Sequence, residues 1–81
     1  MQVTVRLFAR LRELAGSGEL RRELPAGSTV ATLWDALATE FPAMRPHGRS
    51  VSAAVNQEFA RRTTELGEGD EVAFLPPVSG G

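Results

Sequence analysis

The chain contains no cysteine and no tyrosine, it has one histidine, and all nine of its basic residues are arginine. Without cysteine there can be no disulfide, no thiolate catalysis and no cysteine-bearing metal site. The lone His47 sits in Met-Arg-Pro-His-Gly. Pro46 and Gly48 on either side mark a surface loop, so His47 reads as loop filler rather than as a member of a Ser-His-Asp triad. One histidine cannot build a His-rich metal site, and no metal is expected. No apolar run approaches the roughly 20 residues a membrane span needs. The opening MQVTVRLF alternates apolar and polar residues, unlike the continuous apolar block of a signal peptide, so the expected compartment is the cytoplasm. Nine basic residues against ten acidic ones leave a formal charge of -1, which lacks the basic excess of a nucleic-acid binder. With 81 residues the chain forms one domain with a thin core, too small for a cleft between two lobes. Ordinary side-chain catalysis is not what this composition offers.

The patterning that is present is clear. Val3, Val5 and Leu7 alternate with Gln2, Thr4, Arg6 and Phe8, which predicts a half-buried strand with Phe8 ending its polar face. Leu11, Leu14 and Ala15 have helical spacing, and Gly16 and Gly18 end that short run. Glu19 to Leu24 reads as an edge strand, with Leu20 and Leu24 inward and Arg22 sharing their parity. Pro25-Ala26-Gly27 makes a turn, and Ser28 and Thr29 are good helix N-caps. Val30, Leu33, Trp34, Leu37 and Phe41 then recur at helical spacing until Pro42. Two of the chain's aromatic residues lie here, so this helix is expected to supply most of the core. Residues 43–50 read as a loop. Val51 to Asn56 is a short strand, and Gln57-Glu58 is the expected turn into Phe59-Ala60. Leu66 to Asp70 is a turn by composition, and Glu71 to Leu75 is a last strand with Val72 and Phe74 inward. The expected fold is α+β: a β-grasp (ubiquitin-like) arrangement, with a mixed sheet of four to five strands packed on one main helix and the first and last strands side by side.

The charged groups suggest little chemistry. Asp70 and Glu71 are neighbours on an extended chain, so their carboxylates point to opposite faces and cannot converge on one substrate. The arginine pairs at 10 and 12, 21 and 22, and 61 and 62 read as solvated surface, with an acidic partner or phosphate-bearing ligand as the functional alternative. Gly67-Glu68-Gly69 is followed by no helix and is not a phosphate loop.

The C-terminus differs from the rest. Val72 to Gly81 reads VAFLPPVSGG, with no charged side chain. Pro76 and Pro77 cannot donate to a sheet ladder, so the domain is expected to span residues 1–75 and an extended tail residues 76–81. The tail can reach at most about 20 Å at about 3.3–3.6 Å per residue. Gly80 and Gly81 make its end as thin as a polypeptide can be. An uncharged, pre-extended arm of this kind is suited to entering a narrow channel in another protein; a frayed tail is the plainer alternative.

The segments Phe8-Ala9-Arg10-Leu11-Arg12-Glu13-Leu14-Ala15-Gly16, Ala53-Ala54-Val55-Asn56-Gln57, Gly69-Asp70-Glu71-Val72-Ala73-Phe74 and Pro76-Pro77-Val78-Ser79-Gly80-Gly81 carry a resemblance. Together they resemble the ubiquitin-like sulfur carriers that form the small subunit of molybdopterin synthase. The GDEV…PPV-x-GG ending is the most specific of them. The absence of lysine and Leu75, where relatives often carry an aromatic, depart from the pattern.

The resemblance implies a mechanism. A ubiquitin-activating-like adenylating enzyme would use ATP to join Gly81 to AMP, and a sulfur donor protein would then leave a thiocarboxylate on Gly81. Inside the large catalytic subunit, that sulfur would attack a pterin precursor and help form the dithiolene of molybdopterin. Pro76, Pro77, Val78, Ser79 and Gly80 would be the inserted tail, and Gly81 the reacting terminus. The chain would bind no cofactor itself and would be a sulfur-donor subunit, not catalytic alone. Carriers for thiamine or tRNA thiolation, a ubiquitin-like modifier, and a plain binding module are the alternatives. Phe8, Phe59 and Leu75 are expected to meet on the sheet face opposite the helix as the partner interface. The lack of lysine has two readings: compositional bias, or a benefit to a periodically activated terminus of having no side-chain amine nearby to acylate.

Overall fold

The computed structural model describes residues 1–77. Its elements are β1 (Gln2–Leu7), α1 (Ala9–Ala15), β2 (Glu19–Glu23), α2 (Val30–Glu40), a short 3₁₀ helix (Pro42–His47), β3 (Ser52–Val55), β4 (Glu58–Ala60) and β5 (Glu71–Leu75). The five strands form one mixed sheet in the order β2-β1-β5-β3-β4. β1 and β5 run parallel, with Leu7 opposite Phe74, and every other pairing is antiparallel. This is the β-grasp arrangement, with first and last strands adjacent and β2 at an edge.

Strand alternation builds one side of the core. Val3, Val5, Leu7, Ala53, Val72 and Phe74 are buried, and α2 covers them with Val30, Leu33, Trp34, Leu37 and Ala38. The rings of Trp34 and Phe74 lie 5.2 Å apart at 60°, a tilted geometry that suits the aromatic quadrupoles. The helix therefore does not supply most of the core. Phe41 caps it only half-buried, and the largest fully buried side chain is Phe74 of β5.

Local chemistry sets the boundaries. Thr29 caps α2 in a reciprocal capping box with Thr32. Carbonyls of Thr64 and Arg62 accept from the amides of Val30 and Ala31, which satisfies two donors that the helix start leaves free. Gly16 ends α1 at φ 78, a left-handed conformation that costs glycine little.

Two local expectations need correction. Residues 43–50, read as a loop, contain most of the 3₁₀ helix, which buries Met44 in the core. Gly48 just after it lies so close to Trp34 that a Cβ would sit 2.9 Å from the indole Nε1. The β3–β4 turn is Asn56-Gln57, one residue earlier than expected, because Val55 pairs with Glu58. Asn56 and Gln57 have φ 51 and 73, the positive values a two-residue hairpin of matching twist requires at both central positions.

Candidate functional site

Among the described residues, nothing covers the centre of the sheet face turned away from α2. The register sets Arg6, Ala73, Ala54 and Phe59 in one row across β1, β5, β3 and β4. One step further along the strands, Leu75 lies opposite Ser52. Phe8, still extended at φ -126 and ψ 153, follows Leu7 and continues the outward parity of β1. Small side chains in mid-row and large ones around them leave an open groove of about 430 Å³, lined by Arg6, Phe8, Ala54, Phe59, Ala73 and Leu75 together with Gln57 and Glu71. The structure thus brings Phe8, Phe59 and Leu75 together as expected. Phe8 is 42% exposed and Phe59 82%, so among the described residues neither a loop nor α1 covers them. Leu75 is half-buried.

One side of the groove is charged. The Arg6 guanidinium donates from Nε to Glu71 at 3.1 Å, and its Nη2 lies 3.4 Å from Glu19. These exposed pairs are worth little to stability, but they orient charge beside an apolar floor. Asp70 and Glu71 diverge as expected. Asp70 accepts from the Gly67 amide and the Asn56 side-chain amide, while Glu71 faces Arg6.

Sequence reasoning missed a backbone feature that places Phe8. Ala9 has φ 52, a left-handed conformation unusual for a residue with a Cβ. It turns the chain sharply out of β1 into α1 and leaves Phe8 as the last extended residue on the open face. Nothing in the composition around Ala9 signals it. Arg62 was also missed. It donates to the carbonyls of Gly48 and Val51 while its own carbonyl accepts from Ala31, tying the segment after β4 to the first turn of α2 and to the segment entering β3. His47 acts through its backbone, its carbonyl accepting from the amides of Ser50 and Val51.

β5 lies between β1 and β3, so the chain leaves the centre of the sheet at the groove's Leu75 end. Pro76 is half-buried and Pro77 exposed. Val78, Ser79, Gly80 and Gly81 lie outside the described residues. Among the described residues no group of histidine, cysteine, aspartate or glutamate is placed to hold a metal, and no helix is long and apolar enough to cross a membrane.

The family model that matches is that of the ThiS family, over residues 5–81. The molybdopterin synthase sulfur carrier subunit of Mycobacterium tuberculosis is 40% identical over 82 residues, covering 100% of this chain and 99% of the relative. The protein of the same name from Arabidopsis thaliana is 37% identical over 81 residues, covering 100% of this chain and 84% of the relative. Among solved structures, SAMP1 from Haloferax volcanii is similar at a TM-score of 0.86 and 33% identity, over 100% of both chains.

Proposed function

The chain belongs to the ThiS family, and from that premise we propose that it is the sulfur-carrier subunit of a molybdopterin synthase. The observation that carries this reading is similarity along its whole length to two proteins of that name. The carboxylate of Gly81 is the working group. A carboxylate is a poor electrophile, because it is charged and resonance-stabilised. An adenylating partner joins it to AMP from ATP with release of pyrophosphate, and a sulfur donor displaces AMP to leave a thiocarboxylate. The large subunit docks on the groove around Phe8, Phe59 and Leu75 and receives Pro76 to Gly81. Its own side chains then bind the pterin precursor that the sulfur attacks. The groove supports this division of labour, because an exposed aromatic-aliphatic patch beside the tail's point of departure lets one partner hold the body and accept the terminus.

The test is to add one residue after Gly81. The fold and thermal melt stay as they are, since the change lies outside the core. Sulfur loading is lost, because the carbonyl presented to the adenylating site is displaced by roughly 3.5 Å. Gly80→Val also melts normally and fails to load, since a branched side chain widens the tail and restricts its backbone. Full loading of the extended chain overturns the proposal.

A second reading, a protein modifier, is favoured by the similarity to SAMP1, a small archaeal modifier protein. It shares the activation step and differs in the acceptor. Co-purification with a large synthase subunit favours the first reading; covalent attachment to other proteins favours the second.

A further inference from the structure

The formal charge of -1 hides a separation of charge along the strands. Among the described residues, ion pairs hold Arg6, Arg10 and Arg22. Arg12, Arg45, Arg49 and Arg61 are exposed and belong to none of these pairs; Arg45 reaches only the Thr39 hydroxyl, at 3.4 Å. All four lie at one end of the sheet, where β1 and β5 finish and β3 begins. Arg12 is on α1, which follows Phe8, and the Gly18 carbonyl beyond that helix accepts from the Leu7 amide. Arg45 and Arg49 are in the segment that enters β3 at Ser52, opposite Leu75. Arg61 follows Ala60, the partner of Ala53, and Arg62 ties that stretch to the Gly48 and Val51 carbonyls. Arg12 on the β1 side and Arg49 and Arg61 on the β3 side therefore flank the end of β5. The acids that form no ion pair among the described residues gather at the other end. Glu23 is opposite Gln2, Glu58 closes the hairpin opposite Val55, and Glu65, Glu68 and Asp70 lie on the chain leading into β5.

We propose that the arginine end is a docking surface for an acidic face of a protein partner, which this chain meets end-on with Leu75 foremost. The six residues of β1 separate the two ends by about 20 Å at about 3.3 Å each, more than twice the screening length of about 8 Å at physiological salt. An approaching charged surface therefore senses one end at a time, and an acidic one is drawn to the arginines and repelled by the other end. The basic end is continuous with the apolar patch, since Arg61 and Phe59 line one open depression of about 560 Å³ beside β4. The charges set encounter and orientation, and the aromatic side chain beside them supplies the hold. Arginines from three separate segments match an extended acidic face better than a single phosphate group.

The experiment titrates the full chain, labelled with nitrogen-15, with a decaglutamate peptide at low salt and follows the amide resonances. Shifts are expected at Arg12, Arg49 and Arg61 and their neighbours and not at Glu23, Glu65 or Glu68, and they vanish at about 0.5 M salt. A chain with Arg12→Gln, Arg49→Gln and Arg61→Gln binds the peptide about tenfold more weakly, from three exposed pairs lost together. Arg21→Gln serves as the control, since Arg21 is also exposed and outside the ion pairs but lies opposite Thr4, away from this end, and it binds as the wild type does. Matching thermal melts establish that both variants are folded. Shifts spread evenly or centred on the acidic end overturn the proposal, and so does a triple variant that binds like the wild type. Tighter binding of inorganic phosphate or of decathymidine at the same amides overturns it too, by assigning the surface to phosphate groups. The peptide requires neither activation of Gly81 nor a synthase subunit, so the outcome is separate from that of the sulfur-carrier reading.

Discussion

The two faces of the sheet are built from the same strands and differ in everything except backbone. On the covered face Val5, Leu7, Val72 and Phe74 are sealed beneath α2; on the open face, one residue along, Arg6, Phe8, Ala73 and Leu75 line a groove. A side-chain period of two lets one stretch of chain seal a core on one side and line an open groove on the other. The contrast also shows where apolar residues carry information. Phe74 needs no explanation beyond the core, whereas Phe59, left 82% exposed on a three-residue edge strand, gains nothing for the fold.

Substitutions on the two faces should therefore separate cleanly. The largest effect is expected from Phe74→Ala, which empties the centre of the covered face and costs about 3–5 kcal/mol of stability by chemical denaturation. In so small a domain that approaches the whole margin. On the open face, Phe59→Ala is expected to change stability by no more than about 0.5 kcal/mol. Titration calorimetry should instead show binding to the large subunit weakened by about 1–3 kcal/mol. Phe8→Ala should follow Phe59→Ala, and an unfolded Phe8→Ala protein would erase the distinction between the faces.

Thr29→Ala tests the lid of the covered face and should cost about 1 kcal/mol in the same denaturation experiment, since it removes one half of the capping box. The smallest effect concerns the seam. Ala9→Gly relieves a left-handed alanine costing about 1–2 kcal/mol and adds back about 0.5–1 kcal/mol of glycine flexibility, for a net stabilisation of about 0.5–1 kcal/mol. A destabilised Ala9→Gly protein would show that the turn after Phe8 carries no strain.

Both faces were legible in the sequence because strict alternation in β1 and β5 assigns each side chain a side, and adjacency of the first and last strands then brings Phe8 to Leu75. What was not legible has specific causes. Met44 is the one large apolar side chain in a six-residue segment with two prolines, too short to display a period. The turn at Asn56-Gln57 was misplaced by one position because composition marks a turn but not its register. The register is settled at long range, where the Asn56 side chain accepts from the Glu71 amide and donates to Asp70. Arg62 reads as solvated charge until the fold places the Gly48 and Val51 carbonyls beside it. The groove required Ala54 and Ala73 to be neighbours across β3 and β5, a pairing no local pattern reveals.

The central position of β5 has a mechanical consequence. A tail drawn out of a snug channel transmits tension to the strand it grows from. β5 is bonded on both flanks, to β1 and to β3, and that tension runs along the strand axis. The load falls on both ladders in shear, so their hydrogen bonds resist together instead of opening one at a time from an end. A tail attached to an edge strand could be peeled away with its strand; a pull on the chain after Leu75 meets both ladders of β5 at once and leaves the body folded.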